Sequence, residues 1–163
     1  MFFKKCAIAA LLFTVVSCKP TTFMVVTSSS QIDQAGKKVI YLPTDWVKDA
    51  DRFAMMINLK RHSEFNNAVK KMDDAKKRRF LLGIHSLVSN DYEQAYTYLI
   101  NLPQSEFDFE VQLLMADVLH ARKTPDLNYP QIYQTIVDST KNINIKLIAI
   151  NRYRFLNYES TLQ

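Results

Sequence analysis

Few residues of this chain have the type and spacing to do chemistry. Cys6 and Cys18 are the only thiols. Two cysteines are too few for a disulfide framework or a Cys-only zinc site. His62, His85 and His120 are widely separated, and no H-E-x-x-H or H-x-H spacing occurs, so no metal site is expected. Asp49/Asp51 and Asp73-Asp74 are the close carboxylates, but adjacent acids diverge on a helix and share a proton poorly. Asp73-Asp74 reads better as a helix start, where acids favour the positive end of the dipole. There is no G-x-S-x-G, and with two glycines in 163 residues there is no phosphate-cradling loop. No catalytic residue and no cofactor is expected. The densest charge lies in Lys70, Lys71, Lys76, Lys77, Arg78 and Arg79, six cations with Asp73 and Asp74 among ten positions. This run fits a solvated helix turn, or a contact with anionic headgroups or an acidic partner.

Cys18 has the most specific surroundings. Lys4 and Lys5 precede an 11-residue apolar run, Cys6 to Val16. A membrane-spanning helix needs about 20 apolar residues, so the run is too short to span permanently but suits a secretory signal. It closes on Val15-Val16-Ser17-Cys18, which resembles the lipobox of bacterial lipoproteins: an aliphatic residue, a tolerated residue, a small residue, then Cys. Val15 stands where Leu is usual. The resemblance implies cleavage between Ser17 and Cys18 and a lipid on the Cys18 thiol. Thiolate is the good nucleophile that such acylation chemistry needs. One acyl chain binds a membrane marginally, whereas two or more anchor it stably. Lys19 stands where Asp resembles an inner-membrane retention signal, which tilts the expectation to an outer-membrane anchor facing the periplasm or cell surface. The competing reading is an ordinary secretory signal cut elsewhere, leaving Cys18 a free thiol. Cleavage would leave 146 residues, and loss of Lys4 and Lys5 would lower the net charge from +5 to +3. Export also argues against nucleic acid as a partner of the basic run.

Beyond the signal the chain is predominantly helical in pattern. Hydrophobic content of 48% and charged content of 23% are ordinary for one globular domain. Residues 18–43 hold Ser/Thr clusters around a short apolar FMVV and read as an extended tether, with FMVV as a short strand or extended piece docking on the domain. VIYLP, ending at Pro43, reads as a lead-in rather than part of a sheet. From Thr44 the apolar periodicity is helical. Thr44-Asp45 is a credible N-cap before a face of Trp46, Ala50, Phe53, Ala54 and Ile57. Further stripes are Phe65/Ala68/Val69/Met72, Phe80/Leu81/Ile84/Leu87/Val88, Tyr92/Ala95/Tyr96/Leu99, Val111/Leu114/Met115/Val118/Leu119 and Tyr129/Ile132/Tyr133/Ile136/Val137. Ile145, Ile148 and Ala149 mark a last helix, although the alternation of Ile143, Ile145 and Leu147 also allows a strand.

Three segments look alike: Ser63-Glu64-Phe65-Asn66-Asn67-Ala68, Asn90-Asp91-Tyr92-Glu93-Gln94-Ala95 and Leu127-Asn128-Tyr129-Pro130-Gln131-Ile132. Each places a polar residue before an aromatic and an apolar residue three later, at the start of a hairpin's second helix. With Leu82-Gly83 ahead of it and Leu99 behind, the middle copy resembles a tetratricopeptide repeat, a unit of about 34 residues. The resemblance is degenerate. Arg79 and Ser86 stand where aromatics are expected, the first copy lacks Leu-Gly, and Ile132 replaces a small residue. It implies close helix contact at Gly83 and Ala95, with Tyr92 wedged over the turn. An irregular helical bundle is the alternative. The resulting expectation is an all-α, tetratricopeptide-like solenoid of stacked hairpins with an N-terminal extended tether. Its parts are a signal at 1–17, lipidated Cys18 and tether at 18–43, and a repeat domain at 44–163. Hairpins fall at about 44–73, 74–102 and 106–139, with a final helix at about 142–158. The functional expectation is a membrane-anchored, non-catalytic adaptor whose concave face holds a protein partner of a cell-envelope assembly. The alternatives are a small-ligand carrier or transporter accessory protein, with a closed apolar pocket, and, third, an enzyme.

Overall fold

The computed structural model describes residues 23–28, 32, 38–102, 108–125 and 127–160, without the side chains of Asp108 and of 157–160. Two strands, β1 (Phe23–Val26) and β2 (Lys38–Tyr41), precede seven helices. These are α1 (Ala50–Asn58), α2 (His62–Lys70), α3 (Ala75–Val88), α4 (Tyr92–Leu99), α5 (Asp108–Ala121), α6 (Tyr129–Ser139) and α7 (Ile143–Ser160). The chain is mostly helical, as the periodicity requires. The apolar stripes face inward: Phe53, Phe65, Phe80, Ile84, Leu87, Ala95, Leu99, Val118 and Ile136 are all buried. The last segment is helix, not strand, with Ile145, Ile148 and Ala149 on its buried side.

Successive helices contact one another as antiparallel neighbours, most extensively α3 with α4 and α6 with α7. The turns inside the first three pairs are built alike. At each, the second residue after the helix end adopts a left-handed backbone: Lys60 (φ 56°), Asn90 (φ 62°) and Lys123 (φ 52°). In the first, Arg61 N–H donates to Met56 C=O and Lys60 N–H to Ile57 C=O; the bonds Asp91 to Ser86, Asn90 to Leu87, Thr124 to Leu119 and Lys123 to His120 repeat it. This is the Schellman arrangement, in which a left-handed residue turns the chain while two successive N–H groups satisfy carbonyls of the last helical turn. Two of the three second helices are then capped by side chains. Asp91 accepts from Gln94 N–H, and Asn128 from Gln131 N–H. In the first pair the helix opens at His62, with Arg61 at the cap position and no side-chain cap, so Ser63 does not serve as one.

Two expectations are corrected. Trp46 does not open the first helix. Residues 44–49 form turns, Val47 N–H reaching Pro43 C=O, and helix begins only after Asp49, whose φ of 60° breaks the path. Trp46 still packs inward, its ring centroid 4.5 Å from that of Phe80. The second correction is larger. VIYLP is not a lead-in: β2 pairs in parallel with β1, Phe23 opposite Lys38 through Val26 opposite Tyr41. Phe23, Val25, Val26, Val39, Ile40 and Leu42 are all at most 4% exposed, so the strands belong to the core. The physical reason is burial on both faces, which turns two four-residue apolar runs into sheet despite the nearby Pro43. β1 lies on α1 and α3, and β2 on α7. Between β2 and α5 there remains a void of only about 10 Å³.

Side chains close both outer edges of this small sheet. Asn58 at the end of α1 donates to Val25 C=O (2.7 Å) and accepts from Val25 N–H (2.9 Å), replacing a neighbouring strand. Arg152 of α7 donates to Val39 C=O at 2.7 Å. Unpaired strand edges invite pairing with other chains, and here each edge is met by a side chain of the protein itself.

Candidate functional site

The basic run straddles the junction of α2 and α3. Asp74 is the N-cap of α3 and accepts from Lys76 N–H (2.9 Å) and Lys77 N–H (3.1 Å). The Lys77 backbone bond is the main cause that lowers its carboxyl below the usual range, and the Lys77 ammonium 3.7 Å away adds to this. Arg78 turns back to donate to Met72 C=O at 3.2 Å. The run therefore splits. Lys71 and Lys77 line an open groove of about 690 Å³, facing Lys48 and Arg52 from the first-helix side, whereas Lys70, Lys76, Arg78 and Arg79 lie outside it. Phe53, Ala68 and Met72 supply apolar lining, and Asp49, Glu64, Asp73 and Asp74 interleave with the cations. Equal numbers of cations and acids give no field for a polyanion. Such a groove suits a partner segment of patterned charge laid over an apolar strip.

The residues expected to pack the repeat lie between α3 and α4. Gly83 faces Leu99 so closely that a Cβ would stand 2.7 Å from its Cδ2. Ala95 is fully buried. Tyr92 is half-buried, and its hydroxyl donates to Asn90 Oδ1 at 2.9 Å, spanning the turn. Tyr129 does the same for the third pair, its hydroxyl reaching Leu119 C=O (3.0 Å) and Thr124 C=O (2.7 Å). Ser17 and Cys18 lie outside the described residues.

Two clusters are not evident from the sequence. His62 Nδ1 and His85 Nε2 are 2.7 Å apart, and the His85 ring stacks on Phe65 at 4.5 Å and 9°. Taken singly, neither histidine has a partner at motif spacing. They stand at equal distances either side of the Asp73–Asp74 junction, and that symmetry in an antiparallel pair is the signal that brings them together. Burial, then the charge of His62, lowers the His85 pKa from its usual value. Among the described residues no group of three or more His, Cys, Asp or Glu is placed to hold a metal ion. The second cluster is buried. Arg152 Nε donates to Asp117 Oδ1 at 2.9 Å, and the Tyr133 hydroxyl donates to the same oxygen at 2.8 Å. Asp117, Tyr133 and Arg152 are 1%, 0% and 7% exposed. Burial, then the Asp117 charge, raises the Tyr133 pKa far out of reach, so its hydroxyl remains a donor. Arg152 sits one turn along the Ile145/Ile148/Ala149 stripe, and Asp117 lies between buried Ala116 and Val118; a charge on each of two apolar faces is the signal that marks them.

The faces of α1, α3, α5 and α7 do not form an open groove. The strands cover them, with Arg152 binding Val39 and Asn58 binding Val25. An open concavity, the mixed-charge groove, lies beside α1, α2 and the start of α3. No described helix is long and apolar enough to cross a membrane. No family model, curated protein or solved structure matches the chain.

Proposed function

We propose that this chain is a bacterial lipoprotein, anchored through Cys18 to a membrane, with the outer membrane favoured, and that it acts as a non-catalytic adaptor in a cell-envelope assembly. The observation that carries the reading is the lipobox-like Val15-Val16-Ser17-Cys18 behind Lys4-Lys5 and a short apolar run. The helical pairs support a repeat architecture of tetratricopeptide-like kind. Their three left-handed turn residues are 30 and 33 residues apart, near the 34-residue unit of that repeat, and their hydrogen bonds coincide bond for bond. Because the protein's own strands cover the odd-numbered helices, the partner surface moves to the groove of Lys48, Arg52, Lys71 and Lys77. A small-ligand carrier has less support, since the internal void of about 10 Å³ holds roughly one water. Metabolic labelling with a palmitate analogue tests the anchor: the wild type takes up label and Cys18→Ala does not. Equal labelling or equal membrane partitioning of the two would refute it. For the adaptor, cross-linking from a photoreactive residue at Lys71 should give one stoichiometric protein adduct that Arg52→Glu/Lys77→Glu abolishes.

A further inference from the structure

The way the N-terminal strand is seated sets which end of the molecule the chain enters from the side of Cys18. Cys18 and Phe23 are separated by five peptide steps. At about 3.3–3.6 Å per residue that leash spans at most roughly 18 Å. β1 is not a continuation of the leash, because Asn58 holds Val25 by both backbone groups. The direction of α1 is set by two bonds. Thr27 bonds Asp51 near the start of α1, while Val25 bonds Asn58 at its end, so α1 runs antiparallel to β1. The α1–α2 turn therefore projects toward the end at which the chain arrives from Cys18. Lys38 starts the parallel partner strand at that same end, its Nζ 5.4 Å from the centre of the Phe23 ring.

That turn is Leu59-Lys60-Arg61. Leu59 is 58% exposed, among the most exposed large apolar side chains described. Lys60 is exposed and held in the left-handed conformation, and Arg61 is exposed, its guanidinium 3.6 Å from the exposed Glu64 carboxylate, a pair weak enough to open toward phosphate. An apolar tip flanked by cations is the chemistry that meets an anionic bilayer: the side chain enters the headgroup boundary while the cations meet phosphate. The basic run lies elsewhere. Lys70 ends α2, one length of that helix away, about 13 Å; Lys76–Arg79 open α3, which runs back until His85 meets His62, so Arg79 lies six residues, about 9 Å, short of that end.

We infer that the α1–α2 turn, with Leu59, Lys60 and Arg61, rests on an anionic lipid surface, leaving the basic run and its groove turned away toward a partner. This rests on the anchor proposed at Cys18. The test uses the mature protein purified from the membranes of a lipidating host and reconstituted into phosphatidylcholine vesicles one-third phosphatidylglycerol. Cys18, its sulfur joined to a diacylglyceryl group, offers no thiol, so a cysteine introduced as Leu59→Cys or Arg79→Cys takes a single fluorophore. Nitroxide-bearing lipids should quench the position-59 label several-fold more than the position-79 label. Lys60→Glu/Arg61→Glu should cut the position-59 quenching by half or more while the vesicles still carry the protein on flotation. Equal quenching at both positions, or stronger quenching at position 79, overturns the orientation while leaving the anchor intact. Protein that fails to float with the vesicles overturns the anchor itself, and the orientation with it.

Discussion

At the scale of single residues, the approach of Gly83 to Leu99 is the tightest constraint on side-chain size. A methyl group at 83 would stand 2.7 and 2.8 Å from two carbons of a side chain that is itself 1% exposed. Leu99 has nowhere to go without displacing its neighbours, so over-packing outweighs the helix propensity gained by losing glycine. Gly83→Ala should cost about 1–3 kcal/mol in denaturant unfolding. Leu99→Ala alone should cost about 2–5 kcal/mol by cavity formation. Because the new methyl occupies the space vacated, the double variant should be clearly more stable than the sum of the two losses; strict additivity would show that the two side chains do not meet. The histidine pair makes a prediction of opposite chemistry. His85 is held below its usual pKa by burial and by His62, so the unfolded chain takes a proton there before the folded one does. Its contribution is present above the unfolded value of about 6.5 and is lost as pH falls from there through the lower folded value. Melting temperature should therefore drop as the pH falls through and below about 6.5. His85→Gln should flatten that drop, and an unchanged pH slope in the variant would remove His85 as its source.

Between elements, the repeated turn and the buried ion pair carry most of the specification. Three left-handed positions are occupied by Lys60, Asn90 and Lys123 rather than glycine. A lysine in that conformation costs about 1–2 kcal/mol, and asparagine less. Lys60→Gly and Lys123→Gly should each raise stability by up to about 1 kcal/mol, while Asn90→Gly should lower it slightly, because it relieves little strain and removes the acceptor of the Tyr92 hydroxyl. Uniform destabilisation by all three would mean that these turns are not closed as described. The Arg152–Asp117–Tyr133 cluster joins α5, α6 and α7 to β2. Removing one ion of a buried pair leaves the other uncompensated, so Asp117→Ala should cost about 3–5 kcal/mol, whereas Asp117→Leu/Arg152→Met should recover much of it. Chemical denaturation of the wild type and these variants measures this. The helix stripes and three of the caps, Asp74, Asp91 and Asn128, are legible in the sequence because they depend on residues two to four apart. Asp117, Arg152 and the histidine pair are not, because their meaning depends on partners 35 and 23 positions away.

For the whole molecule, the same contrast explains why FMVV reads as a short docked strand or extended piece, as it proves to be, while its pairing with KVIY does not show. FMVV and KVIY are each four residues long, as short as strands become, and their pairing is parallel across a connection of 11 residues. Nothing local distinguishes such a run from an extended tether; only the apolar faces of α1, α3, α5 and α7, assembled from the rest of the chain, make it a strand. The fold is accordingly not a row of hairpins that happens to trail a leash. β1 begins the described part of the chain at Phe23, and β1 and β2 fill the core that the odd-numbered helices would otherwise expose. A stack of hairpins alone predicts that a chain starting at Thr44 stays folded and loses only its attachment. The buried strands predict the reverse. Phe23, Val25, Val26, Val39, Ile40 and Leu42 are all near-fully buried, and each large apolar side chain removed from a core costs about 1.5–3 kcal/mol of burial. Together these losses rival the roughly 5–15 kcal/mol of a typical domain's stability before the orphaned Arg152 and Asn58 are considered. A chain starting at Thr44 should therefore lose its cooperative thermal transition and expose apolar surface to a hydrophobic dye, while one starting at Lys19 keeps both transition and compactness. A sharp melt of the shorter chain would show that the helices form a self-sufficient stack, and that the sheet is only laid upon it.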